Sequence, residues 1–184
     1  LSEPGGYFRS DNFISNEGEL QYVIADLQRT VPRGRAYVGV GPEQNFTYIA
    51  ALRPKMVFII DVRRGNLQLH LMYKALFELS SDRADFVSRL FSLKRPAGLG
   101  RGSSVQESFA AYADPRLRSP ELYKQNAGAI NRFFTRKDGP ELSPEDLAGI
   151  AAIYREFHDK GLDIHYEVMP GSAGSFPSYK ELMV

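Results

Sequence analysis

The stretch RAYVGVGPEQNFTYIAALRPKMVFIID, Arg35 through Asp61, decides how this chain is read. Residues 35–40 are short, β-branched and aromatic, and Gly41-Pro42 ends them, so a strand is expected there. Phe46, Ile49, Ala50 and Leu52 then recur on one helical face until Arg53-Pro54 closes it. Residues 56–60 follow as an unbroken apolar run capped by the Asp61 carboxylate. That pattern suits a parallel strand covered on both faces, at the centre of a sheet.

Working outward, 62–65 reads as a polar turn, and Leu67, Leu71, Ala75, Leu76 and Leu79 define a helix over 66–80 with Asn66 as its N-cap. Ser81 and Asp82 restart a helix through Phe86, Val87, Leu90 and Phe91. Upstream, 1–18 is polar and aromatic-studded, a helix is expected over 19–29, and Pro32 and Gly34 break it. Downstream, 94–104 carries three glycines and three basic residues, the composition of a mobile loop. Helices are expected over 105–113, 121–134 and 143–160, the last capped by Ser143 with Pro144 in the first turn and stopped by Gly161. Residues 164–168 alternate and read as a third strand, before a Pro/Gly/Ser loop over 169–175.

With 184 residues the chain is expected to hold one domain. Its parts are an arm and helix over 1–34, a βαβα ligand-binding core over 35–93, a helical insertion or substrate cover over 94–142, and a closing helix and strand over 143–184. The 23 basic and 22 acidic residues leave a formal charge of +1, so nothing global selects for nucleic acid. No run approaches the roughly 18 apolar residues of a membrane span. A soluble chain is expected, with the cytoplasm favoured. The absence of cysteine excludes disulfides, thiolate metal sites and cysteine nucleophiles, and is neutral about compartment. Three strands are few for a sheet wound on both faces, the first residue is Leu1, and 175–184 stops within an apolar-containing segment, so a fragment is expected.

The chemistry concentrates in Gly39, Gly41 and Glu43, with Asp61 placed 22 positions after Gly39. In nucleotide-binding βαβ units, glycines at the first strand end let the backbone approach a ligand, and an acid ending the second strand accepts ribose hydroxyls. Each residue also has a plainer reading: the glycines as a tight strand-to-helix turn, Asp61 as a cap on the turn through Arg63 and Gly65. The third glycine of the dinucleotide pattern falls at Glu43 or Gln44, and a carboxylate there would repel a pyrophosphate. A cationic sulfonium compound tolerates it.

These residues resemble the class I S-adenosylmethionine-dependent methyltransferase fold. They are most similar to an uncharacterised bacterial family carrying strings close to VGVGPEQNFTYIAALRP (38–54), IIDVRRGNLQLHLMYKALFELS (59–80) and FPSYKELM (176–183). The resemblance implies an α/β, Rossmann-like three-layer sandwich with a mostly parallel sheet, here partial or truncated, since members continue past the last residue. It also implies S-adenosylmethionine as cofactor, held by Gly39, Gly41, Glu43, Asp61, Val62 and Asn66, and a methyl acceptor that is a small molecule or of unknown class. Two departures stand out: Tyr37 occupies the position of the usual acid before the first glycine, and no Asn/Asp-Pro-Pro-Tyr motif is present. A non-catalytic module that binds a metabolite or a protein is the alternative.

Elsewhere the residues favour structural readings. Arg63 and Arg64 read as turn charges or as holders of an anionic substrate group, and His70 as a partly buried or surface histidine rather than a base. His158 and His165 lack partners at metal-ligand spacing, so no metal is expected. Ser103, Ser104 and Ser108 have no histidine-acid arrangement around them. Tyr7, Phe8, Arg9, Asp11 and Asn12 form a polar-aromatic cluster that reads as a lid over the cofactor or as a plain N-terminal wrap. The basic residues of 94–101 read as a solvated loop.

Overall fold

The computed structural model describes residues 12–167 and 176–184. A 3₁₀ turn (Leu20–Val23) leads into α1 (Ile24–Thr30), followed by β1 (Ala36–Val40), α2 (Gln44–Leu52), β2 (Met56–Ile60) and α3 (Arg64–Leu79). Then come α4 (Arg83–Phe91), α5 (Val105–Tyr112), α6 (Pro120–Thr135), α7 (Pro144–Lys160) and α8 (Tyr179–Met183). Ser143 caps α7 as expected, accepting from the Asp146 amide, and Asp82 and Ser119 cap α4 and α6 by accepting from the Asp85 and Leu122 amides. Ser104 and Glu107 form a reciprocal capping box at α5.

β1 and β2 pair in parallel, with Val38 opposite Phe58 and Val40 opposite Ile60, and α2 forms the crossover between them. The expected strand-helix-strand-helix unit is therefore present, but the three-layer Rossmann-like sandwich with a mostly parallel sheet is not. Among the described residues the sheet stops at two strands, and helices make up most of the structure. The expected third strand is reduced to one antiparallel bridge between His165 and Ser178, and position 168 of that segment lies outside the described residues.

The core explains the difference. Leu69, Met72, Tyr73 and Leu76 of α3 pack with Val87, Leu90 and Phe91 of α4, Ile130, Phe133 and Phe134 of α6, and Ile150, Ile153, Tyr154 and Phe157 of α7. No strand residue belongs to this cluster. The helices satisfy one another's apolar stripes, leaving the sheet at the margin. β2, expected to be central and covered on both sides, is exposed: Phe58 retains 50% and Ile60 56% of its accessible surface, as do Val38 and Val40 at 62% each. Side chains opposite each other in register share a face, so Val38, Val40, Met56, Phe58 and Ile60 form one bare apolar surface. The opposite face bears Tyr37, Gly39, Val57 and Ile59, and meets α2 along β1.

Candidate functional site

The loop after β1 is held from below by one side chain. Asn45 Nδ2 donates towards three successive carbonyls, those of Val40 (3.1 Å), Gly41 (3.1 Å) and Pro42 (2.8 Å), while its Oδ1 accepts from the Tyr37 hydroxyl at 2.8 Å. Tyr37, where the resemblance asks for an acid, thus props the loop. Gly39 is required by this arrangement, because a Cβ there would lie 1.9 Å from Asn45 Oδ1. Gly41 sits at φ +84°, a conformation that side chains resist. Its carbonyl accepts from His70 Nε2 at 2.9 Å, which fixes the proton on Nε2 of a neutral ring. Burial lowers the His70 pKa, with the Gly41 carbonyl and Asp61 opposing, so the neutral form prevails at pH 7.

Because Val40 is the register partner of Ile60, the loop after β1 and Asp61 leave the sheet side by side. Asp61 Oδ1 accepts from the Arg63 amide at 2.9 Å and from Arg63 Nε at 3.3 Å, and Oδ2 accepts from Arg63 Nη2 at 3.3 Å. Burial raises the Asp61 pKa, but the Arg63 hydrogen bonds and charge outweigh it and leave the carboxyl below its ordinary value. The turn-capping reading of Asp61 is realised in these bonds, and the carboxylate stays ionised at neutral pH. Arg63 also donates to the Asn12 carbonyl at 3.4 Å. Arg64 turns the other way and pairs with Asp146 at the start of α7, Nε to Oδ1 at 2.8 Å.

Between β2 and the first turns of α3 lies a cleft of about 490 Å³. Asp61, Arg63, Arg64, Asn66 and His70 supply its polar lining, and Val57, Ile59, Ile60 and Leu67 its apolar wall. Asn66 is not the N-cap expected of it: Arg63 holds that position in extended conformation, and Asn66 is the third helical residue. Its side chain is buried, and Oδ1 has no hydrogen-bond partner among the described residues.

Glu43 and Val62 stand apart from this cleft. Val62 is 61% exposed. Glu43 turns inward instead of towards a ligand: it is 4% exposed, Oε1 accepts from the Ser15 amide at 2.9 Å, and Oε2 has no partner among the described residues. Burial pushes its pKa up to about 7 against the pull of those backbone bonds. Its charge in turn raises the fully buried phenols of Tyr73 and Tyr179, both already raised chiefly by burial. Of the six expected site residues, Asp61 and Asn66 line this cleft, Gly39 and Gly41 shape the loop after β1 without lining it, and Glu43 and Val62 stand apart. The sequence reading missed Asn45 as the loop's anchor and undervalued His70. The four-residue spacing of Asn66 and His70 on one helical face was the available signal.

The remaining candidates are structural. His158 stacks on Tyr123 with ring centroids 4.5 Å apart, and His165 Nδ1 lies 3.0 Å from the Asp163 carbonyl. No group of three potential ligands able to hold a metal ion occurs among the described residues. Ser104 caps α5, and the Ser108 hydroxyl donates to the Ser104 carbonyl. Arg95 of the basic loop bridges Asp82 and the Leu99 carbonyl. The cluster from Tyr7 to Asp11 lies outside the described residues, while Asn12 Oδ1 accepts from the Glu167 amide at 2.8 Å. No helix among the described residues is long and apolar enough to cross a membrane. A family model described as Domain of unknown function (DUF7790) matches residues 12–141. No curated protein matches the chain.

Proposed function

The chain belongs to the DUF7790 family, and on the chemistry of the cleft we propose that it binds an adenosyl ligand of the S-adenosylmethionine type as a methyltransferase-like protein. The observation that carries this reading is the pairing of Val40 with Ile60, which sets the Gly41 loop beside Asp61 at the outlet of a parallel βαβ unit, with Asp61 itself lining the cleft. The residues fit such a ligand. Asp61 is ionised and suits the hydroxyl donors of a ribose, and the apolar wall of Val57, Ile59 and Leu67 suits a base. S-adenosylmethionine supplies a methyl group on a cationic sulfonium. The chain's own part is to orient ligand and acceptor and to exclude water, work that needs no acid-base pair legible in sequence. Glu43 belongs to the support of the loop in this reading, not to its ligand face.

Titration calorimetry with S-adenosylmethionine and S-adenosylhomocysteine is the direct test. Both are expected to bind, and Asp61→Asn, which keeps an acceptor for the Arg63 amide, is expected to weaken them about tenfold. No heat from either ligand removes the proposal. The bare apolar face of the sheet favours a second reading, a non-catalytic module that binds a protein. Ligand binding without transfer to any acceptor would support it.

A further inference from the structure

We propose that the bare face of the sheet seats an amphipathic α-helix of a partner protein, acidic at the end that lies over the start of the strands. The assignment does not rest on the adenosyl reading of the cleft. Parallel strands are normally covered on both faces, and here α2 meets only one. On the other, Val38, Val40, Met56, Phe58 and Ile60 keep 50–62% of their surface exposed, a contiguous apolar patch of the kind that marks an interaction site. Its dimensions fit one helix. Two strands about 4.8 Å apart present a face roughly 10 Å wide, the diameter of a single helix with its side chains.

The charges supply the rest of the description. Ala36 is the register partner of Met56, and the Lys55 amide donates to the Arg35 carbonyl at 3.0 Å, so Arg33, Arg35, Arg53 and Lys55 gather at the rim where both strands begin. All four are exposed, and none forms an ion pair among the described residues. At the opposite rim Asp61 is already engaged by Arg63. The face therefore has a positive end and a neutralised end, a direction that a helix can match and that the plane of a lipid surface lacks. α2 runs back from the ends of the strands to their starts. A helix laid in the same sense brings its C-terminal end, with its partial negative charge, over the four cations. A second copy of the chain fits less well. The apolar patch and its rim hold fewer than half of the about 20–30 residues a side that a stable interface uses, and the patch brings no acids to meet the cations.

The test uses two designed, fluorescently labelled peptides with the same leucine stripe, each about 18 residues long so as to span the strands and reach the rim. One carries glutamates in its last two turns and the other lysines there. Fluorescence anisotropy with the wild-type chain is expected to show the acidic-ended peptide binding about tenfold more tightly, the sum of several exposed ion pairs. Phe58→Lys is expected to weaken the acidic-ended peptide about tenfold or more. Arg35→Glu combined with Lys55→Glu is expected to reduce the preference to about twofold or less. The wild-type comparison needs no variant. No binding of the acidic-ended peptide, equal binding of the two, or binding indifferent to Phe58→Lys overturns the proposal. Two further measurements can also overturn it, by assigning the face to another occupant. One is sedimentation of the wild-type chain as a dimer that Phe58→Lys dissociates. The other is binding to phosphatidylserine vesicles that Phe58→Lys abolishes, without binding of either peptide.

Discussion

Glu43 shows how one residue can be chemically prominent without being part of the ligand face. Its carboxyl is enclosed, with one amide donating to Oε1 and two buried phenols nearby, and burial lifts its pKa from an ordinary carboxylate value to about 7. A carboxyl whose folded pKa lies above its unfolded one holds an extra proton in the native state. Stability therefore falls as pH rises from the unfolded value towards about 7, and the full penalty is present above it. Asp61 and Asp146 are shifted the opposite way; their stabilisation is present above the ordinary carboxylate range and is lost only in acid, outside this window. His70 titrates alike in wild type and variant and cancels in their difference. Glu43→Gln mimics the protonated carboxyl, so its advantage over the wild type is expected to grow by about 2 kcal/mol between roughly pH 5.5 and pH 8.5. Urea denaturation at both pH values reads this directly. A difference that does not change with pH would mean that Glu43 is ionised in the fold.

At the level of elements, what the sequence revealed was what local chemistry determines. The apolar stripe of α3 and the Ser143 cap of α7 were legible because period and capping act within a few residues. The start of α3 was misplaced by two residues because Asp61 engages the Arg63 amide and so fixes Arg63 as the cap, a role that composition assigned to Asn66. Gly39, Gly41 and Asp61 were legible as a set, since their spacing follows from the length of one crossover. The tie between α3 and α7 was not, because Asp146 reaches Arg64 and Gln68 across about eighty positions of sequence. That tie orients the helix that carries Asn66 and His70. Asp146→Asn keeps the shape but removes the charge facing Arg64, and is expected to cost about 1–3 kcal/mol in chemical denaturation. A change below about 0.3 kcal/mol would show that apolar packing alone positions α3 on α7.

For the whole molecule, the run from Met56 to Ile60 carried the largest misreading. Its apolar continuity was correctly a parallel strand, but hydropathy records only what a segment would bury, not whether a partner layer is there to bury it. Here α3, α4, α6 and α7 enclose the core, and the sheet offers Val38, Val40, Met56, Phe58 and Ile60 to solvent on one face. This division of labour makes the two halves respond oppositely to substitution. Phe58→Lys places a charge where water already is, and is expected to change the stability of the chain by no more than about 0.5 kcal/mol. It should also lower the binding of a hydrophobic dye such as anilinonaphthalene sulfonate, because a contiguous apolar patch is what such a dye detects. Leu69→Ala, at a fully buried position of α3, is the contrasting case and is expected to cost about 2–5 kcal/mol. If Phe58→Lys proved as damaging as Leu69→Ala, the face of the sheet would have to be covered, and the core would extend across β1 and β2.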